Sequence, residues 1–289
     1  MKVIPTPRLF QKEMKRLRLR GRTLGFVPTM GALHEGHLAL VRKARRENQI
    51  VIVSIFVNPI QFGPHEDFRC YPRKLKKDCA LLAREKVDYV FAPSTASLYP
   101  AASQTFVEVT ELSRRLCGQF RPGHFRGVAT VVAKLFNLAQ PHRAYFGAKD
   151  YQQALVIKQF VRDLNFDIDI RVLPVVRDRD GLALSSRNAY LSREERGRAQ
   201  SIPYALAWAK NEIEHGNRNL RLIHSGILQR LRRNLDRVDY VEWVQPEDLK
   251  PVKSIQQRFV LAVAGWVGKT RLIDNVIIHT LSSHVPTNP

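Results

Sequence analysis

Residues 50–57 read Ile-Val-Ile-Val-Ser-Ile-Phe-Val, apolar at every position except Ser54. Length and β-branching mark this run as a buried strand. Amphipathic helix patterns flank it. Residues 36–48 place Leu38, Val41 and Ala44 on one stripe, and residues 74–86 place Leu75, Cys79 and Leu82 inward. The alternation extends in both directions, with strands expected at 23–27, 89–92, 143–146 and 168–176 and helices at 125–139 and 150–164. Strands separated by single helices mean βαβ units and a parallel sheet, hence an α/β fold. Such sheets bind ligands beyond the carboxyl ends of their strands. Chemistry is therefore sought after Val27, Val57, Phe146 and Val176. Past residue 176 the pattern changes. Helices are expected at 193–215 and 220–235, then strands at 238–244, 258–264 and 272–279. Two helices followed by a small antiparallel sheet suggest an α+β domain, so the expected division is 1–176 and 177–289.

Composition narrows the function classes. With 47 Lys+Arg against 26 Asp+Glu, the chain of 289 residues carries +21, which invites a nucleic-acid reading. The excess is uneven: residues 1–46 hold 12 basic and 2 acidic side chains. The dense run of Lys12, Lys15, Arg16, Arg18, Arg20 and Arg22 reads as the solvated face of an N-terminal helix or as a phosphate-backbone contact. Three cysteines without a CxxC pair suggest no disulfide framework and a reduced, cytosolic compartment. Neither a signal peptide nor a membrane span is indicated.

Four segments carry candidate chemistry. Pro28-Thr29-Met30-Gly31-Ala32-Leu33-His34-Glu35-Gly36-His37 joins a strand to a helix. Orphan amides and the dipole favour phosphate at a helix start. Two imidazoles three residues apart converge there. The loop lacks the G-x-G-x-x-G of a dinucleotide fingerprint and the H-E-x-x-H of a zincin, and a surface histidine pair remains the plain alternative. Asn58-Pro59-Ile60-Gln61 follows the next strand. Asn58 and Gln61 suit a small hydroxylated ligand, or a turn built on Asn and Pro. In Gly147-Ala148-Lys149-Asp150-Tyr151-Gln152-Gln153, Lys149 suits a phosphate or ribose and Gln153 projects one turn in, while Asp150 also suits an N-cap. In Leu184-Ser185-Ser186-Arg187, two hydroxyls and a guanidinium suit an anion.

Together, the stretches PTMGALHEGH, FVNPIQFGP, YPR, RPGHFRGV, FGAKDYQQ and GLALSSRN closely resemble the signatures of the pantoate–β-alanine ligases, in order and over essentially the whole chain. The resemblance implies a Rossmann-like nucleotidylyltransferase-type domain that binds ATP and pantoate, with a smaller C-terminal lid. It implies condensation of (R)-pantoate with β-alanine, giving pantothenate, AMP and pyrophosphate through a pantoyl-adenylate, with Mg²⁺ accompanying ATP. It makes Met30, Gly31, Ala32, Leu33, His34, Glu35, Gly36 and His37 the ATP loop, with His34 and His37 on the phosphates and His37 catalytic. Gly147, Ala148, Lys149, Asp150, Val176, Leu184, Ser185, Ser186 and Arg187 match further ATP contacts. Gln61 and Gln153 match pantoate-holding glutamines, and Asn58 joins them as a pantoate or β-alanine contact. Asp78 is open between a metal-side carboxylate and a helix-surface role. Ala148 departs from the Glu common at that position. The resemblance also implies a cytoplasmic homodimer with no nucleic-acid or membrane partner. A class I synthetase-like enzyme acting on tRNA is the alternative, although the residues after 176 look too few for a tRNA-binding domain.

Overall fold

The computed structural model describes residues 1–280. They divide into two compact units: Met1–Val176 with Leu184–Ser186, and Arg177–Ala183 with the chain from Arg187 onward. Sequence reading assigned Leu184, Ser185 and Ser186 to the second domain, whereas they group with the first. The expected end of the second domain, residue 289, lies outside the described residues.

The first unit runs β1 (Lys2–Ile4), α1 (Pro7–Leu19), β2 (Leu24–Thr29), α2 (Glu35–Glu47), β3 (Ile50–Ile55), α3 (Leu75–Arg84) and β4 (Tyr89–Phe91). Three one-turn helices follow, α4 (Thr95–Leu98), α5 (Thr110–Ser113) and α6 (Cys117–Phe120). Then come α7 (His124–Ala139), β5 (Arg143–Gly147), α8 (Tyr151–Asp163) and β6 (Asp169–Leu173). The six strands form one parallel sheet in the order β1-β4-β3-β2-β5-β6. The order reverses between β2 and β5, which is where open α/β sheets leave a crevice for a ligand.

Periodicity explains the layers. Phe10, Met14 and Leu17 recur along one stripe of α1 and are buried, and Phe10 stacks on Phe91 at 4.2 Å. Leu38, Val41 and Ala44 of α2 are buried as expected, and Val41 and Ala44 pack over Val51 and Val53 of the sheet. Fully burying each such aliphatic or aromatic side chain contributes about 1.5–3 kcal/mol. β6 stops at Leu173 because Pro174 has no N–H to continue the ladder. In α3 the expected stripe of Leu75, Cys79 and Leu82 is rotated. Leu75 is 43% exposed and Leu82 fully buried, while the other buried residue is Asp78.

The second unit runs α9 (Arg193–Ala199), α10 (Ser201–Glu214), α11 (Leu220–Arg232), β7 (Arg237–Val244), β8 (Arg258–Val267) and β9 (Thr270–His279). The single helix expected over 193–215 breaks at Gln200. Pro203 cannot donate a helical hydrogen bond and would clash with the carbonyl four residues earlier, so it fits only a first turn. Ser192 and Glu195 form a reciprocal capping box at the start of α9, at 3.1 and 2.8 Å. The three strands are antiparallel, and α10 and α11 cover them with Leu206, Ile213, Ile227 and Leu231 against Phe259, Leu261 and Val263.

Candidate functional site

Because β2, β3, β5 and β6 are parallel, the segments that leave their carboxyl ends share one edge of the sheet. They are the four segments singled out in the sequence. The turn after β2 is the most constrained. Gly31 has φ of 83°, and a Cβ there would sit 3.0 Å from Asp78 Oδ2 and from Ile55 Cγ2. Ala32 follows at φ of 50°. Asp78 holds the turn just past Gly31, its Oδ2 and Oδ1 accepting the Ala32 and Leu33 amides at 2.9 Å each.

This corrects the helix-surface reading of Asp78. At 1% exposure the carboxylate is enclosed, and both of its oxygens accept loop amides. Two further amides near the turn are engaged as well. The Gly31 amide donates to Thr29 Oγ1 at 3.1 Å, and the His34 amide to His37 Nδ1 at 3.4 Å. Glu35 and Gly36 supply the first two amides of α2, which helix geometry leaves without intrahelical acceptors.

The two imidazoles lie side by side with ring centroids 4.0 Å apart. Burial, followed by the nearby Lys149 ammonium, pushes His34 down to about 4. Burial, then His34 and Lys149, push His37 down to about 3. Both rings are therefore neutral at pH 7. The His34 amide occupies the His37 Nδ1 lone pair, so the His37 proton sits on Nε2, ready to donate. His34 Nδ1 is buried and turned toward the His37 backbone amide in a reciprocal capping arrangement, but no hydrogen bond of ordinary length closes there among the described residues.

After β3, Asn58 is 1% exposed and its amide is fully committed. Nδ2 donates to Gln61 Oε1 at 2.9 Å and to Gly127 O at 3.1 Å, and Oδ1 accepts from the Tyr99 hydroxyl at 3.0 Å. Asn58 is thus enclosed by protein and supports Gln61 rather than presenting itself to a ligand, as had been expected of it. The fixed amide orientation turns Gln61 Nε2 toward Met30 Sδ at 3.3 Å. Thioether sulfur is a weak acceptor that a ligand oxygen displaces readily.

After β5, residues 148–150 form one tight turn into α8. Asp150 stands at the N-cap position, yet its side chain makes no capping bond. It lies 3.9 Å from the Lys149 ammonium. The adjacent glutamines divide their roles. Gln152 is buried, accepting from the Cys117 amide at 3.0 Å and donating to Leu112 O and Arg115 O at 2.7 and 2.6 Å. Gln153 is half-buried and makes no side-chain hydrogen bond among the described residues.

Beyond β6, the Leu184 amide donates to Val176 O at 2.9 Å. Leu184 packs beside Gly36, where an added Cβ would lie 3.7 Å from it. The Ser186 hydroxyl meets the Tyr71 hydroxyl at 3.0 Å. Arg187 belongs to the second unit.

Sequence reasoning missed the support behind Gln61. The Gln61 carbonyl accepts from His124 Nδ1 at 2.8 Å, His124 Nε2 meets Arg121 at 3.0 Å, and Arg121 grips Glu66 with two hydrogen bonds. The stretch containing Arg121, His124 and Gly127 had been noticed as a motif, but nothing local assigned it a role.

The fold and this edge define a Rossmann-like α/β protein with a close imidazole pair after β2 and a compact α+β second unit. Residues 2–277 match the family described as pantoate-beta-alanine ligase. The pantothenate synthetase of Thermotoga petrophila is 52% identical over 279 residues, covering 96% of this chain and 100% of that protein. That of Thermotoga neapolitana is 53% identical over 280 residues, with 96% and 100% covered. Among solved structures, the pantothenate synthetase of Thermus thermophilus superposes with a TM-score of 0.91 at 46% identity, covering 96% of this chain and 99% of that one. The pantoate-beta-alanine ligase of Francisella tularensis, complexed with β-γ ATP and β-alanine, gives 0.80 at 37% identity, covering 96% and 97%. The chain belongs to the pantoate–β-alanine ligase family, and is thereby a ligase. This likeness does not favour the tRNA alternative. No helix among the described residues is long and apolar enough to cross a membrane.

Proposed function

We propose that the chain joins (R)-pantoate to β-alanine in two half-reactions. In the first, a pantoate carboxylate oxygen attacks the α-phosphorus of ATP, the bond to the β-phosphate bridging oxygen breaks, and pyrophosphate leaves. In the second, the β-alanine amine attacks the carbonyl of the pantoyl-adenylate, the carbon–oxygen bond breaks, AMP leaves, and the amine loses a proton. The observation that carries this reading is the pair of neutral, converging imidazoles beside Lys149 at the start of α2. A neutral N–H donor can strengthen its hydrogen bond as phosphoryl charge develops. The family match and the β-γ ATP and β-alanine complex of the Francisella ligase support the substrates.

In this reading His37 Nε2–H and His34 donate to phosphoryl oxygens, helped by the Glu35 and Gly36 amides and by Lys149. The turn from Met30 to Leu33 and the residues Gly147, Ala148 and Asp150 shape the nucleotide side. Val176, Leu184, Ser185, Ser186 and Arg187 complete the ATP contacts, and Gln61 and Gln153 offer amides to pantoate. Among the described residues no three His, Cys, Asp or Glu side chains group as a metal site. Mg²⁺ usually binds through substrate phosphates with one or two carboxylates, so in this reading it arrives with the phosphates of ATP. Family likeness supports a cytoplasmic homodimer, checked by light scattering on the purified chain.

The deciding experiment follows both products. Pyrophosphate release should require ATP and pantoate alone, and AMP release should require β-alanine as well. Pyrophosphate release that waits for β-alanine would overturn the adenylate order.

A further inference from the structure

We infer that His124 is a positioning residue for Gln61, and that Arg121 and Glu66 lock it in the single tautomer that can do so. This rests on reading Gln61 as a pantoate contact. His124 opens α7 and is 8% exposed. Its Nδ1 lies 2.8 Å from the Gln61 carbonyl, which can only accept, so Nδ1 carries the proton. Its Nε2 lies 3.0 Å from Arg121 Nη1, which can only donate, so Nε2 offers its lone pair. Only the neutral Nδ1–H imidazole satisfies both neighbours.

Arg121 is itself fixed. Its Nε and Nη2 donate to the two Glu66 carboxylate oxygens at 2.7 and 2.6 Å, which leaves Nη1 aimed at the ring. Bidentate pairing of this kind sets orientation as well as energy. One turn along α7, Gly127 completes the support. A Cβ at Gly127 would sit 2.4 Å from Ile60 O and 2.7 Å from Gln61 N, so only glycine lets the helix touch the turn. The Gly127 carbonyl also accepts from Asn58 Nδ2, the amide that orients Gln61. The backbone and the side-chain amide of Gln61 are thus aimed by separate groups, His124 for the first and Asn58 for the second.

Steady-state kinetics on four variants of the full chain test this. Gln61→Ala sets the reference and should raise the pantoate KM strongly. His124→Leu removes both ring hydrogen bonds and should raise the pantoate KM about tenfold, the equivalent of one lost hydrogen bond, with the ATP KM within about twofold of the parent. His124→Asn keeps a donor near the Nδ1 position and should restore most of that loss. Glu66→Gln, which loosens Arg121 without touching the ring, should raise the pantoate KM by about threefold, and it carries the test if His124→Leu fails to fold. If Gln61→Ala raises the pantoate KM but neither His124→Leu nor Glu66→Gln does, the positioning role is overturned. Equal changes in the pantoate and ATP KM values, or no rescue by His124→Asn, overturn it too. If Gln61→Ala leaves the pantoate KM unchanged, the reading of Gln61 itself fails.

Discussion

Asp78 in the first unit and Asp274 in the second are 1% and 4% exposed. Their partners differ in kind. Asp274 takes hydrogen bonds from Arg177 Nη1 and Nη2 at 2.6 and 3.0 Å, so a guanidinium offsets its charge. Asp78 takes the Ala32 and Leu33 amides at 2.9 Å each, and amides bring dipoles rather than a unit charge. The first arrangement ties a β-strand to the chain just past Val176. The second fixes the backbone of a turn and makes Ala32 hold a positive φ that it would otherwise avoid. One carboxylate serves the stability of its unit, and the other serves the shape of a loop that a ligand must meet. That shape has a cost in donors, since the amides bound to Asp78 cannot also face phosphate. In the proposed ATP reading, the imidazoles, Lys149 and the first turn of α2 would supply the phosphate donors instead.

The sharpest way to break this picture is to remove the group the turn exists to present. His37→Ala should lower the rate of pyrophosphate release by about 10²–10³, the usual effect of deleting one preorganised donor. Its thermal midpoint should stay near the parent's, since among the described residues the His37 ring receives one long hydrogen bond. Near-normal adenylation by this variant would mean that the turn is structural.

The next test acts on the turn through its support. Asp78→Ala leaves two buried amides without acceptors and should cost about 2–4 kcal/mol in urea unfolding. It should also raise the ATP KM more than the pantoate KM, because the relaxed turn carries the nucleotide donors. Arg177→Ala should cost less, about 2 kcal/mol, since Arg177 is about one-third exposed and water partly replaces it. If Arg177→Ala lowers ATP affinity as much as Asp78→Ala does, the division of labour between the two carboxylates fails.

The contrast also explains what the sequence could and could not reveal. Strand β3 was legible because apolar, β-branched residues need no distant partner to declare themselves. The shared placement of the loops that bear His34, His37, Lys149 and Gln61 was legible because a parallel sheet dictates where its carboxyl edge lies. Strand β1 was not legible, for three residues ahead of Pro5 carry too little pattern to distinguish them from a loop. The roles of Asp78 and Asn58 were hidden for a different reason. Asp78 sits 46 residues from Ala32, and Asn58 meets Gly127 across 69. A polar side chain states its chemistry locally, but which partners saturate it is settled only by tertiary packing. The same applies to Asp150, which stands at an N-cap position and makes no cap.

The smallest effect is expected where charge is densest and least constrained. Arg42 lies between Glu35 at the start of α2 and Glu85 just past α3, and its Nη2 approaches Glu85 at 2.6 Å. Its side chain is 43% exposed, and that of Glu35 is 54% exposed. Ion pairs in water gain little, because solvent screens them and two long side chains must be ordered to form them. Glu35 also keeps its favourable place at the positive end of the α2 dipole without Arg42. Arg42→Ala should therefore change stability by less than about 1 kcal/mol, and the change should vanish in high salt. A salt-independent loss well above that would show that the Glu35–Arg42–Glu85 bridge fastens α2 to α3 and so shares with Asp78 the task of holding the turn. A small, salt-sensitive loss would leave Asp78 as the group that holds it, and would place Arg42 among the basic residues that make up the +21 surface without shaping the site.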